Sequence, residues 1–523
     1  GRKEWIGLAV IALPCLLYSM DLTVLHLAIP QISEQLKPSG PQLLWIIDIY
    51  GFLVAGTLLT MGTLGDRIGR RRLLLIGAAA FGVASVIAAF STSAAMLIAT
   101  RALLGFAGAT LAPSTMSLIR NMFRDPKQFT TAIGVWIAAY SAGAAVGPLI
   151  GGVLLEYFWW GSVFLISVPV MALLLVVGPV LLPEYRDPDA GRPDVLSAAL
   201  SLAAVLGAIF GLKRLAQDGL AWLPALCILG ALAVGLVFVR RQLTLPDPLI
   251  DLRLFRVPSF SAALALYGLG VFVLFGGFLF GPQYLQLVLG LSPFQAGLWS
   301  LPWALAFVAG SLLTPRLVGH VSPVRLMAGG LVLGAAGFAV LTRLDAGAGV
   351  SRATSLALLV PASVAFSLGL SPLFTLANDL IIGSAPPERA GAASGLSETC
   401  AELNGALGVA FFGSLGIAVY RGAMPDAIPG VSPEALEAAR GTLGGAVAAA
   451  GQLPPQSGAP LLDAARQAFT QGLRIAAAIS AIGSLALAVF TVVALRHART
   501  GGQAEPQSGA TAPVRDSEIA SAV

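Results

Sequence analysis

Residues Gly62–Leu73 read G-T-L-G-D-R-I-G-R-R-R-L. Asp66 and four arginines, Arg67, Arg70, Arg71 and Arg72, crowd into this stretch, with long and mostly apolar runs on both sides. No lipid-buried segment holds that much charge, so the stretch is expected to be a very short loop between two membrane helices. Gly62, Gly65 and Gly69 let the backbone turn tightly and let helices approach closely. Arginines so concentrated in a short loop also predict that it faces the cytoplasm.

The rest of the chain agrees with this reading. Charged residues make up 11% of the 523 positions and hydrophobic residues 57%, where a soluble domain carries about twice that charge. The composition is that of an all-α, polytopic membrane protein. The net charge of +5 is expected to come largely from cytoplasmic loops, so it implies no nucleic acid partner. Cys15, Cys227 and Cys400 all lie in apolar runs, with no metal-ligand or disulfide spacing. No cofactor is implied. The chain opens on Gly-Arg-Lys rather than Met, so residues are expected to precede it. No cleavable leader is expected, because the first apolar run continues as a span.

Apolar runs of spanning length recur near residues 6–30, 43–65, 73–92, 96–120, 131–155, 161–182, 195–213, 221–239, 260–281, 296–318, 325–343, 353–383, 391–420 and 473–495. That predicts fourteen membrane helices. An even number puts both termini on one side, and the alternation places most Lys and Arg with them, hence in the cytoplasm. Residues 421–472 are too long for a mere connector. Helices over Pro433–Ala450 and Ala459–Gly472, separated by G-Q-L-P-P-Q-S-G, predict an external hairpin, the alternative being an unstructured loop. The tail 499–523 is rich in Gly, Ser, Ala, Pro and Gln and is expected to be disordered.

Several polar residues fall inside these spans. Asp21 sits about fifteen residues into span one, roughly 22 Å along a helix. A carboxylate there is costly unless it faces a cavity or cycles a proton. His26 follows near the outer mouth, as a satisfied interfacial imidazole or a titratable group. Asp48 lies in Trp45-Ile-Ile-Asp48-Ile-Tyr50. Trp45 and Tyr50 set aromatic faces beside a carboxylate, as recognition of a lipophilic cation requires, although Trp45 also fits an interfacial aromatic belt. Arg101 stands within span four. Span five carries Gly143, Gly147, Pro148, Gly151 and Gly152. Its glycines give a smooth face for helix contact, and Pro148 removes one backbone hydrogen bond and bends the helix. Span thirteen holds Glu398 and Glu402, four apart on one helix face and so about 6 Å from each other. Two such carboxylates cannot both ionise easily in low dielectric, which suits a shared proton. Asp379 ends span twelve, more as a helix-end group than as a ligand.

These motifs resemble, in order along residues 5–495, those of the major facilitator superfamily. G-x-L-x-D-R-x-G-R-R-x-L at Gly62–Leu73 resembles its signature loop between helices two and three. D-x-T-V-x-x-x-A-x-P from Asp21 resembles the first-helix motif of the fourteen-helix drug:proton antiporters, with His26 where that branch often has Asn. The surroundings of Arg101 resemble a second family motif, L-x-x-x-R-x-x-Q-G-x-G, with Leu104 in place of Gln. G-x-x-x-G-P-x-x-G-G-x-L from Gly143 resembles the motif associated with antiporters. The stretches around Asp48 and Glu398–Glu402 resemble the quaternary-ammonium efflux pumps of that branch, with Ser397 where an adjacent Glu is found. The resemblance implies two six-helix bundles, 1–185 and 259–498, with two inserted helices and linkers at 186–258. It implies a monomeric, proton-driven exporter in the bacterial cytoplasmic membrane, acting on lipophilic mono- and divalent cations such as quaternary ammonium compounds, dyes and biguanides. Asp21, Asp48, Glu398, Glu402 and Arg101 are the implied coupling and binding residues. Trp45, Tyr50 and His26 are cavity candidates. The conformational motifs are Gly62, Asp66, Arg67, Gly69 and Arg70, and Gly143 to Gly152. No G-x-x-x-x-G-K-[ST] loop occurs, which argues against ATP as the drive. Two rivals stand: an exporter of an endogenous metabolite or antibiotic, and a non-transporting sensor. The second does not need four intramembrane carboxylates.

Overall fold

The computed structural model describes residues 2–123, 125–184, 194–218, 221–246, 248, 252–318, 320–346, 351–384 and 390–495. Among them every regular element is helical. The first half contains α1 (Arg2–Leu36), α2 (Gly40–Ile68), α3 (Arg70–Ala89), α4 (Ala94–Gly108), its continuation α5 (Leu111–Met122), α6 (Pro126–Tyr157), α7 (Ser162–Leu165) and α8 (Ser167–Leu181). A pair follows, α9 (Val195–Asp218) and α10 (Trp222–Thr244). The second half contains α11 (Pro258–Phe278), α12 (Gly281–Gln283) with a π-helical turn at Tyr284–Val288, α13 (Pro293–Val318), α14 (Pro323–Leu341), α15 (Arg352–Gly383) and α16 (Ala390–Ala423). It closes with two short helices, α17 (Pro433–Gly441) and α18 (Leu443–Gly451), and the long α19 (Pro455–Leu495).

Each of the fourteen expected spans falls on helix, but twelve stretches among the described residues are long and apolar enough to cross a membrane. The other two expected spans lie on α6 and α9, where the described residues include the shorter apolar runs Val146–Tyr157 and Val195–Ala208. Helix starts follow capping chemistry. Ser39 and Gln42 form a reciprocal capping box at α2, with Ser39 N–H donating to Gln42 Oε1 at 3.0 Å. Asp125 accepts from Gln128 N–H at 2.9 Å at α6.

Packing organises these helices into two bundles. In the first, α1 lies along α6; in the second, α14 lies along α15 and α19. The bundles meet where α6 packs on α13 and α2 on α16. The inserted α9 touches both α2 and α16, so it covers one seam between the halves.

The charged stretch that marks the family loop is tighter than a loop. Helix α2 runs through to Ile68 and α3 begins at Arg70, leaving Gly69 alone outside helix. Its φ of +110° is where a side chain is disfavoured, and a Cβ there would also meet the Glu184 carboxylate. That carboxylate accepts from Arg71 N–H at 3.2 Å and lies 3.4 Å from Arg71 Nε. Arg71 Nη1 in turn donates to Pro179 O and Leu182 O at the end of α8, satisfying carbonyls that a helix end leaves open. Gly62, Asp66 and Arg67 fall on α2, but their side chains lie outside the described residues.

Residues 421–472 differ from the expected hairpin. The segment expected to be one helix, Pro433–Ala450, is two, because Thr442 takes an extended conformation and its hydroxyl caps α18 by accepting from Gly445 N–H at 3.0 Å. The second expected helix is not separate: no breaker follows Pro460, and α19 continues from Pro455 into the membrane span. Tyr420 at the end of α16 donates to Ala439 O at 2.7 Å, and α18 packs on α1 and α19. These short helices cap one end of the bundle. The tail from 499 and linker residues 186–193 lie outside the described residues.

Candidate substrate cavity

The site begins with a charge that helix packing cannot leave alone. Asp21 lies deep in α1, and Arg101 of α4 meets it, Nη1 to Oδ2, at 2.8 Å. The Arg101 side chain is 2% exposed. Its Nε donates to Ile46 O on α2 at 3.2 Å, and its guanidinium lies 4.8 Å from the Tyr50 ring centroid and 6.0 Å from that of Phe164. One arginine thus ties α1, α2 and α4 together through an ion pair, a backbone bond and a cation–π contact. Such close approach requires Gly105, one turn on, where a Cβ would press on Tyr50 O at 2.5 Å. Leu104, at the position where the resembling motif has Gln, is fully buried.

Beside this pair lies a cavity of about 380 Å³ between the two halves. The first half contributes Ser19, Thr23, His26, Asp48, Arg101 and Tyr140 to its lining. Ile47, Asp48 and Gly51 also line it, on one face of α2. Asp48 is 2% exposed and His26 3%. The second half contributes Tyr267, Phe275 and Phe278 from α11, Phe307 from α13 and Phe374 from α15. Phe374 stands edge-on to Tyr267 at 5.6 Å and lies 5.6 Å from Phe307. Phe275 and Phe278 pair at 5.7 Å. His26 meets Phe278 edge-on at 5.1 Å, joining the two walls.

The sequence candidates divide on this geometry. Asp21 and Arg101 are paired at the cavity, and His26, Asp48 and Arg101 line it. Tyr50 and Trp45 are not among the described lining residues. Tyr50 is spent on holding Arg101. Trp45 packs on Phe52 at 6.1 Å and on Phe210 of α9 at 6.4 Å, so it faces the inserted pair. Glu398 and Glu402 fall on α16, but their side chains lie outside the described residues; Ala401 and Gly405 of that helix line the cavity. Asp379 is exposed near the end of α15. The aromatic wall was not among the sequence candidates. Its one visible signal is Phe272, Phe275 and Phe278 at three-residue spacing, the spacing of a helix face.

The glycine–proline motif packs α6 against α1 and α13 toward the capped end. Gly143, Gly147 and Gly151 turn toward α1, where a Cβ would strike Leu16 O, Met20 and Thr23, and Val24 in turn. On the other side of α6, Gly152 abuts Pro293 and Phe294 of α13, and Pro148 O abuts Gly297. Gln286 also donates to Leu27 O at 3.1 Å, and Phe294 N–H to Glu156 Oε2 at 3.4 Å. Among the described residues no cluster of three or more His, Cys, Asp or Glu is placed to hold a metal ion.

Comparison with known proteins gives a consistent picture. Residues 11–409 match the Major Facilitator Superfamily. The chain is 42% identical to the multidrug efflux pump LfrA of Mycolicibacterium smegmatis, over 95% of this chain and 97% of that one. It is 39% identical to the methyl viologen resistance protein SmvA of Salmonella typhimurium, over 93% and 96%. Its fold is similar to the crystal structure of a bacterial homolog of the human lysosomal transporter Spinster, inward-facing and unoccupied. The TM-score is 0.65 at 18% identity, covering 94% of this chain and 97% of that one.

Proposed function

The chain belongs to the Major Facilitator Superfamily, a transporter and not an enzyme, and we propose that it is a proton-coupled antiporter exporting lipophilic mono- and divalent cations. The observation that carries the proposal is the cavity itself. Asp48 and Arg101 stand on one wall, with Asp21 clamped by Arg101 beside it, and five aromatic rings stand on the other. A lipophilic cation presents a charge and an apolar body, and the two walls answer the two parts. The relatives' names, multidrug efflux pump and methyl viologen resistance protein, favour the same class of substrate; methyl viologen is a planar dication. Glu398 and Glu402 are proposed as the further acidic pair that serves divalent substrates.

The cycle follows from competition for carboxylates. With Asp21 ionised, its charge is shared between Arg101 and a cation in the cavity. A proton on Asp21 removes that charge, frees Arg101 from its ion pair and weakens the hold on the cation. We read the packing of α6 on α13 as closure toward the capped end, the arrangement for loading from the opposite end. The membrane potential adds about 2.3 kcal/mol per 100 mV for each net charge moved. We place both termini in the cytoplasm of a bacterial inner membrane and count α6 and α9 as spans, for fourteen in all. At 32 and 24 residues they are about 48 and 36 Å long, longer than a hydrocarbon core of about 30 Å. We take the working unit as a monomer.

The test is ethidium transport into proteoliposomes driven by a pH gradient, with Asp21→Asn as the comparison. The parent should transport only when the gradient is present. The variant should fold and bind yet show no gradient-driven transport, because an amide fills the site without cycling charge. Parental rates in Asp21→Asn from pH 6 to 8 would remove Asp21 from coupling. A parent that ignores ethidium would favour an exporter of an endogenous metabolite.

A further inference from the structure

Away from the central cavity, a second recess of about 810 Å³ lies between the end of α14 and the middle third of α19. Its lining is polar where the central cavity is apolar: Arg343 and Asp345 just after α14 face Gln467, Gln471 and Arg474 on α19. Arg343 and Arg474 are exposed, and among the described residues neither has an ion-pair partner. Asp345 is engaged locally, its Oδ1 accepting from Ala346 N–H at 2.8 Å and its carbonyl from Tyr284 Oη at 2.8 Å. The recess therefore offers two guanidiniums and two amides against one carboxylate, a net positive lining for an acceptor-rich anion.

From this arrangement we infer that the recess binds the phosphate headgroup of an anionic phospholipid. Guanidiniums are the side chains best matched to phosphate oxygens. A free anion and a lipid headgroup share that chemistry, and the sequence of α19 selects the lipid. Gln467, Gln471, Arg474, Ile475, Ala478 and Ile482 fall on one helical stripe. The stripe is polar for its first two turns and apolar beyond. Ile482, Leu485 and Val489 continue it as exposed apolar residues at 68%, 48% and 64%, as a surface in contact with acyl chains would be. The change from amide and guanidinium to aliphatic along one face follows the order of a phospholipid from headgroup to chain. The arginines also lie at the end of the bundle where α14 finishes and the α17–α18 cap sits, which the proposed topology places outside. Basic residues are not needed there for orientation.

The experiment uses the full-length protein in mild detergent and reads retained lipid by native mass spectrometry after exposure to equimolar phosphatidylglycerol and phosphatidylcholine. The parent should retain phosphatidylglycerol preferentially. The Arg343→Gln/Arg474→Gln double variant should lose about twenty-fivefold of that preference, the product of about fivefold per arginine. The Arg343→Lys/Arg474→Lys variant should keep most of it. Arg352→Ala, a charge change on the exposed start of α15, should leave it unchanged and guards against a general charge effect. Equal retention of the two lipids, or an unchanged preference in the double variant, overturns the inference. Displacement of phosphatidylglycerol by millimolar inorganic phosphate or glycerol phosphate would show an anion site without lipid selectivity and overturns it too. Each readout is independent of transport, so failure of the drug-export reading leaves it standing.

Discussion

The two walls of the central cavity are built on opposite logic. Among the described lining residues the charged and imidazole groups come from the first half: His26, Asp48 and Arg101, with Asp21 paired to Arg101 and one guanidinium touching three helices. The second half supplies Tyr267, Phe275, Phe278, Phe307 and Phe374, an aromatic surface in which rings contact one another. The charged wall is specific in geometry and costly to alter, because each buried charge depends on a partner. The aromatic wall is adaptable, because ring faces accept cations of many shapes. On the proposed function, the Asp21–Arg101 pair of the first half takes part in coupling and the aromatic rings of the second half give breadth of substrate.

The most disruptive way to break the comparison is Arg101→Ala. It leaves Asp21 in the bundle without its cation and removes the contact to Ile46 O. The expected cost is about 3–5 kcal/mol of stability, with loss of gradient-driven transport. Thermal unfolding in detergent and proteoliposome flux check the two parts. Arg101→Lys should recover stability in part but not transport, since an ammonium cannot reproduce the planar contact with Tyr50.

On the other wall the expected loss is smaller and of a different kind. Phe278→Ala should weaken binding of tetraphenylphosphonium by about tenfold, the loss of one cation–π face of about 1.4 kcal/mol, while the residual flux stays proton-driven. Equilibrium binding and the pH dependence of flux would separate the effects. Loss of coupling in Phe278→Ala would show that the two walls do not divide the work as described.

Between the walls, Pro148→Ala tests the seal. Pro148 removes one backbone donor from α6 where its carbonyl lies against Gly297 of α13, and alanine would restore that donor. Turnover should fall a few-fold with tetraphenylphosphonium affinity near parental. A large affinity loss would instead place the motif in the binding site.

The two walls were not equally legible in the sequence. Asp21, Arg101 and Asp48 stand out because charge in an apolar helix needs a reason, and Gly143 to Gly152 because small residues at four-residue spacing announce a helix contact. Phe307 and Phe374 announce nothing, since an aromatic in a membrane helix faces lipid, neighbour or cavity with the same composition. Only the packing of α11, α13 and α15 reveals which. Gly69 illustrates the same limit at smaller scale. The sequence predicts a loop from Gly62 to Leu73, while backbone hydrogen bonding carries helix through all of it but one residue. The split at Thr442 was likewise hidden, because a threonine that caps a helix and one that sits inside it read alike.

Trp45 gives the smallest expected effect on transport and the sharpest check on how the charged wall is drawn. In the sequence it stands three residues from Asp48 and reads as a ligand for cations. In the fold its ring packs between Phe52 and Phe210, against the inserted α9, while Asp48 faces the cavity. Side chains three residues apart sit about 60° apart around a helix, close enough to share a neighbourhood but able to serve different helices. Trp45→Ala should therefore act on the attachment of the inserted pair, not on the substrate. The lost packing of a partly buried indole should cost about 2 kcal/mol of stability, read as an earlier thermal transition. Ethidium and tetraphenylphosphonium affinities should stay within about twofold of parental, a change of roughly 0.4 kcal/mol or less. A tenfold loss of affinity at unchanged stability would return Trp45 to the cavity and give the charged wall an aromatic surface of its own.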